Sequence, residues 1–312
     1  MRKILVLLLA LSLLTVSFLG CNNSEEPSSN ETPENTTDEQ NQPTEPNPAS
    51  DFEYEINNDG GITIAQYKGS NEIVIIPDSI QDLPVTKIKA NAFRLNYATS
   101  VTMPNTIIEI GVSCFAKCDK LKNISLSQNL LRIGTAAFQE CTQLKQITIP
   151  KNVMQIGDQA FEGAGLESII FEEGIETIRG YAAFAQTQIK ELVLPSTVKE
   201  IGHSTFAANQ KLESVVLNEG LVTIGHKAFA NNPSLKEIVI PKTVEIVTEM
   251  AFNMCSGLKK IMFEGDAPNT FEYSDEISGV VDPIDLNFTV YYHQGAIGFT
   301  SPTWYGYVTN IW

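Results

Sequence analysis

The chain has 312 residues, with 37 acidic side chains against 21 basic ones, a formal net charge of -16 and an apolar fraction of 43%. That apolar fraction supports a buried core and excludes a wholly disordered chain. The acidic balance disfavours nucleic acid as a partner, because phosphate neutralisation needs clustered Lys and Arg. Five cysteines are too few for a disulfide-built scaffold of this length, and three histidines leave little for His-based catalysis.

In chain order, Arg2 and Lys3 precede Ile4 to Leu19, which is almost wholly apolar. Such a run is short for a membrane span, which needs about 20 residues. It suits the core of a signal peptide. Phe18-Leu19-Gly20-Cys21 resembles the lipobox of bacterial lipoproteins, with Phe18 where Leu is usual. The resemblance implies residues 1–20 as a removable signal peptide and a diacylglycerol on the thiol of Cys21. Ordinary secretion with Cys21 as a free thiol is the alternative. Residues 22–50 hold seven acidic residues, five prolines, no Lys or Arg and no large apolar residue. Burial there is too small to offset ordering entropy, so 21–50 reads as a lipidated, disordered tether.

Beyond it one repeat dominates. Phenylalanines recur at 93, 115, 138, 161, 184, 206, 229 and 252, at intervals of 22 or 23. Five or six residues after a typical Phe comes Leu or Ile, at 121, 144, 166, 189, 212, 235 and 258. Counted from that residue, apolar side chains return at +3, +5, +9 and +12, as in Ile147, Ile149, Val153 and Ile156. Alternation at +3 and +5 marks a short strand. Pro150, Pro195 and Pro241 close it. The Ile-Gly pair that follows suggests a tight turn, and Ala-Phe sends a ring inward. A 23-residue unit cannot bury its own apolar face, but stacked neighbours can. One coil carries an extra residue, Arg179 between Ile178 and Gly180, which predicts a bulge at Arg179 to Tyr181 on the outer wall.

The pattern Leu-x-x-Ile-x-Leu-Pro, then Ile-Gly-x-x-Ala-Phe-x-x-Cys, resembles the BspA-like leucine-rich repeats of bacterial surface proteins. What it implies is a repeat solenoid: a horseshoe of about 8–9 coils over residues 75–265, with a parallel β-sheet on one face and an outer wall of turns or short helices. Asn57 to Gly61 lies between alternating runs and reads as a hairpin, making 51–74 an N-terminal cap. Residues 266–312 hold ten of the chain's 26 aromatics and read as a C-terminal aromatic cap, with a glycan-binding platform as the less favoured reading.

Chemistry is scarce. Cys118, Cys141 and Cys255 share a column with Ala164, Thr187, Asn209 and Asn232. The resemblance implies an internal ladder of small or polar buried groups there. A Cys118–Cys141 disulfide between adjacent coils is the lesser reading, and the Cys114/Cys118 pair lacks the second pair a zinc site needs. Tyr181, His203, His226 and Glu249 fall in one outward column, in which His203, His226 and Glu249 are weak candidates for a metal; none is assigned. No nucleophile elbow, phosphate loop or HExxH occurs.

The outward strand positions offer more. The +4 column contains Ile170, Val193, Val216, Val239 and Met262, beside a +2 column with Ser168, Glu191, Ser214 and Glu237. An exposed apolar strip marks a contact site, although β-propensity alone also favours Val and Ile in strands. The expected function is a lipid-anchored, extracytoplasmic binding or adhesion module without cofactor or catalysis. It would be held to a membrane through Cys21 and present the sheet face to a protein or glycan. A structural envelope protein without a specific ligand, or an enzyme acting on surface polymers, are the alternatives.

Overall fold

The structure is a computed structural model and describes residues 44–271 and 288–312. The expectations for the signal peptide, for Cys21 and for the tether up to residue 43 lie outside the described residues, as does part of the C-terminal cap. The described part is a β-solenoid whose helical content is the 3-10 turn Ala49–Asp51.

Each coil contributes to two parallel ladders. The front row contains strands such as Ile73–Ile75, Gln146–Ile149, Glu191–Val193 and Lys260–Phe263, and its strand pairing lapses before Gln146–Ile149, before Glu191–Val193 and before Glu237–Ile240. The back ladder consists mostly of two-residue strands, among them Glu109–Ile110, Arg132–Ile133, Gln155–Ile156 and Glu200–Ile201. Sequence pattern foresaw the front sheet alone. The back strands are too short to alternate visibly, and only the +12 isoleucine marks them.

The outer wall forms a third set of bonds between coils. From the coil of Phe93 to that of Phe229, the Phe N–H, and those two residues before and after it, donate to carbonyls of the next coil. Ser113 N–H bonds Thr135 O, Phe115 N–H bonds Ala137 O, and Lys117 N–H bonds Gln139 O. This geometry puts the residues flanking Phe at -2 and +2 in the left-handed region. Gly163 sits at one such site, at φ +67°; the others carry ordinary side chains, such as Ala136 at +53° and Lys117 at +60°.

The glycine after Ile has a different task from the expected turn. None of Gly111, Gly134, Gly157, Gly202 or Gly225 has positive φ; each lies where neighbouring coils nearly touch. A Cβ on Gly157 would stand 2.4 Å from Thr135 N, and one on Gly134 would stand 2.6 Å from the carbonyl carbon of Gly111.

Inside, the phenylalanines stack face to face. Phe115–Phe138, Phe138–Phe161 and Phe161–Phe184 have ring centroids 5.2, 5.0 and 4.9 Å apart, with planes within 7° of parallel. The column runs unbroken from Phe93 to Phe252 and continues through Tyr67, 5.2 Å from Phe93, to Phe52.

Both ends depart from the expected boundaries. The hairpin forms, Phe52–Ile56 antiparallel to Ile62–Tyr67, but its second strand also pairs parallel with Leu83–Ile88 and so begins the back ladder. The supposed tether is docked by its last residues. Asn47 N–H donates to Ile75 O, and Asn47 Oδ1 accepts from Ile75 N–H, so one residue satisfies the edge of the first front strand. At the other end the front ladder runs past residue 265. Lys260–Phe263 pairs with Thr289–Tyr292, which pairs with Tyr307–Ile311. Trp304 is buried there, 4.5 Å from Phe271 and 4.8 Å from Phe299 by ring centroids.

Gly134→Ala is expected to cost about 2–3 kcal/mol, since its methyl must displace backbone. Gly163→Ala meets only Glu140 Cγ at 3.5 Å and should cost about 1 kcal/mol, for its left-handed φ alone. Urea unfolding of both variants, followed by circular dichroism, checks the order.

Candidate functional site

The front-face strip is assembled as expected. The +3 and +5 side chains, such as Leu192 and Leu194, are buried, and the strand pleat turns the residue between them outward. Ile170, Val193 and Val216 are 47%, 57% and 46% exposed, while Val239 and Met262 are half-buried. In-register pairing puts Val193 beside Val216 and Val239 beside Met262. The next rung, Tyr291, lies opposite Met262 and extends the strip. It was missed because residues 266–287 separate it from the last regular repeat. The flanking column also faces outward. Glu191, Ser214 and Glu237 are exposed, Ser168 is half-buried, and Glu237 pairs with Lys260 at 3.6 Å. Beside it lies a groove of ≈ 630 Å³ lined by Glu213, Lys236, Glu237, Lys259 and Lys260.

The cysteine column is an internal ladder. The Cys118 thiol donates to Phe93 O, Cys141 to Phe115 O and Cys255 to Phe229 O, at 3.0, 3.0 and 3.1 Å. Asn209 and Asn232 do the same work with amides, Asn209 Nδ2 donating to Phe184 O and Phe206 O. Cys118 and Cys141 form no disulfide; both are free thiols, as are Cys114 and Cys255. Burial pushes Cys118 up to about 11 and Cys255 up to about 12, and raises Cys114 and Cys141 as well. These thiols stay protonated, which disqualifies them as nucleophiles at neutral pH.

The outer row forms too. Tyr181 meets His203 edge-on at 4.9 Å, and His203 meets His226 edge-on at 4.7 Å between centroids. Glu249 shares the column, yet among the described residues no three His, Cys, Asp or Glu side chains gather to hold a metal. At the C-terminal end Phe299 stacks on Tyr292 and Phe271 on Tyr305, and Trp304 packs at a tilt against both phenylalanines, as in a plug. Trp312 is 42% exposed and stacks on His293 at 4.6 Å.

With this geometry in hand, the chain can be set beside known proteins. The model of the BspA type leucine-rich repeat region, comprising six copies, matches residues 66–183 and 180–278. The chain belongs to the BspA-type leucine-rich repeat family. A leucine-rich repeat protein of Bacteroides ovatus shares 21% identity and a TM-score of 0.54, covering 84% of this chain and 75% of its own; that likeness supports the fold. A T. pallidum leucine-rich repeat protein is 27% identical over 70% of this chain and 86% of its own, at TM-score 0.48. A leucine-rich cell surface protein of Faecalibacterium prausnitzii is 19% identical over 71% of this chain and 89% of its own, at TM-score 0.39. Among curated proteins nothing matches. The BspA-type repeat also explains the Phe, Ile-Gly and Cys/Asn columns as one recurring unit.

The histidine row has a pH consequence. Desolvation, then the neighbouring His226 and Lys227, lower the pKa of His203 below its ordinary 6.5. The folded chain therefore resists a proton that the unfolded chain accepts, and stability falls as pH drops from about 6.5 towards the folded value. Melting between pH 7.5 and 5 should show a loss that His203→Gln reduces; equal pH dependence in both proteins would contradict it.

Proposed function

We propose that this chain is a lipid-anchored, extracytoplasmic and non-catalytic binding module, whose front sheet engages a protein or surface-polymer partner. The observation that carries the reading is the apolar strip from Ile170 to Tyr291. At about 4.8 Å per coil, six rungs span about 24 Å. Contiguous apolar surface of that kind on a water-soluble scaffold marks a contact site. Its rim supports the same reading. Glu191, Glu237, Lys236 and Lys260 are charged and exposed beside it, the arrangement of an apolar centre in a polar surround that protein contacts use.

The anchoring part rests on Phe18-Leu19-Gly20-Cys21 behind an apolar run. Two or three acyl chains on Cys21, each buried CH₂ contributing about 0.8 kcal/mol, would hold the protein at a membrane. The acidic segment behind it would lift the solenoid away, leaving the front face free. The non-catalytic part rests on the chemistry available: buried protonated thiols, a stacked histidine row, and carboxylates paired to lysines along the coils.

Two experiments separate the parts. Cys21→Ser should move the protein from the detergent phase to the aqueous phase on Triton X-114 partition; retention in detergent would remove the lipid anchor. Val193→Glu with Val216→Glu should abolish crosslinking of the intact lipoprotein to its partner on cells, with circular dichroism unchanged. Undiminished crosslinking by a folded variant would rule out the strip.

A further inference from the structure

The back ladder is broken once among the described residues, between Gln155–Ile156 and Thr177–Ile178. Met154 N–H bonds Leu131 O on one side and Lys199 N–H bonds Glu176 O on the other, but no counterpart of these bonds crosses the fault. The cause is Arg179, the extra residue between Ile178 and Gly180. A cleft of ≈ 550 Å³ opens there, lined by Leu131, Arg132, Met154, Asp158, Thr177 and Arg179 among others.

Two features coincide in this cleft. The first is arginine. The chain has four arginines in 312 residues, at 2, 94, 132 and 179, and two of them line this one cleft. Among the described residues only Arg94 lies elsewhere, so the planar five-donor fork is concentrated where the repeat is interrupted. The second is apolar exposure. Met154 is 76% exposed and Leu131 36% exposed, an uncovered apolar floor beside the guanidinium groups.

Charge along the back row gives the cleft its polarity. The row reads Glu109, Arg132, Gln155, Thr177, Glu200. Arg132 Nη1 lies 3.9 Å from Glu109 on its outer side, and Arg179 pairs with Glu200 on its own outer side. The interval between the two arginines holds only neutral Gln155 and Thr177. The arginine side chains of both pairs are 63% and 67% exposed while their carboxylate partners are 38% and 29% exposed, so each guanidinium keeps a solvent-facing edge open to another carboxylate. Asp158, the acidic group in the lining, accepts the backbone N–H of Tyr181 at 2.8 Å and sits at the outer-wall end, where it repels an anion back towards the arginines.

We propose that this cleft is a second binding site, separate from the front strip, for a carboxylate carried beside an apolar group. The carboxylate bridges Arg132 and Arg179, and the apolar group lies on Met154 and Leu131. A peptide C-terminal residue and a small amphipathic acid share that chemistry, and the experiment distinguishes them.

The full chain in its Cys21→Ser form is titrated with N-acetyl-leucine, N-acetyl-leucinamide and N-acetyl-Gly-Gly-Leu, following the backbone amide resonances of Thr177 and Gly180. The expected result is saturable binding of at least one acid, at least about tenfold weaker for the leucinamide. Binding of both acids marks a site for small amphipathic acids. Binding of the peptide alone marks a reader of polypeptide ends. Arg132→Gln with Arg179→Gln should weaken the acid at least about tenfold, while Val193→Ser with Val216→Ser leaves it unchanged. Failure of both acids to bind, equal binding of the leucinamide, or unaltered binding by a folded double glutamine variant overturns the proposal. None of these outcomes touches the front-face reading, which the crosslinking experiment tests.

Discussion

Backbone meets backbone along the glycine column, and that approach sets the spacing of everything else. With no Cβ at Gly111, Gly134 or Gly157, one coil lies directly on the next. Where the front strands, the back bridges and the wall of turns pair with the next coil, they do so at one repeat distance. Phenylalanine rings within 5.7 Å of their neighbours fit the same distance, so side-chain stacking and backbone pairing reinforce each other. A shift in any one register strains the other three.

That agreement explains an otherwise costly feature. Residues such as Ser113, Lys117, Glu140 and Ala208 hold positive φ without being glycine. Each costs on the order of 1 kcal/mol in isolation. Each also aims its N–H at a carbonyl of the next coil, as Lys117 does towards Gln139 and Glu140 towards Glu162. The strain is therefore offset by nearest-neighbour bonding, and stability builds coil by coil. Ends need special treatment for the same reason. Asn47 satisfies the first front edge with its backbone N–H and its side-chain oxygen, and Trp304 covers the last coil with apolar rings.

Most of the architecture was legible because its determinants are periodic. Phe at 22 or 23, Ile-Gly and the +3/+5 alternation each repeat often enough to be read from one chain. The strip was legible for the same reason, since outward positions follow from the pleat once inward ones are known. What escaped were features with no side-chain signature. The back ladder has strands of two residues, too short for alternation. The glycine was assigned to a turn because close backbone approach depends on the neighbouring coil. Tyr67 and Tyr291 escaped as an aromatic substitute and as a rung displaced by an insertion. The Arg179 insertion was visible, yet its effect was expected on the outer wall. The structure puts it in the back ladder, while Gln159 N–H still bonds Tyr181 O and Phe161 N–H still bonds Ala183 O.

Containment of the fault is itself informative. The wall and the Phe161–Phe184 stack at 4.9 Å hold register across it, and the shorter Phe161-to-Leu166 and Phe184-to-Ile189 links compensate on the front side. An extra residue is thus absorbed within one coil, at the two-residue bridges of the back ladder. Perfect repetition can offer only rows of like groups, such as the front strip, the thiol and amide ladder, or the edge-to-face imidazoles. A cleft with two guanidinium groups, a carboxylate and an exposed methionine requires a break in repetition. Because the wall and the ring stack keep register across it, the break in the back ladder places a site unlike its neighbours without loosening the coils around it.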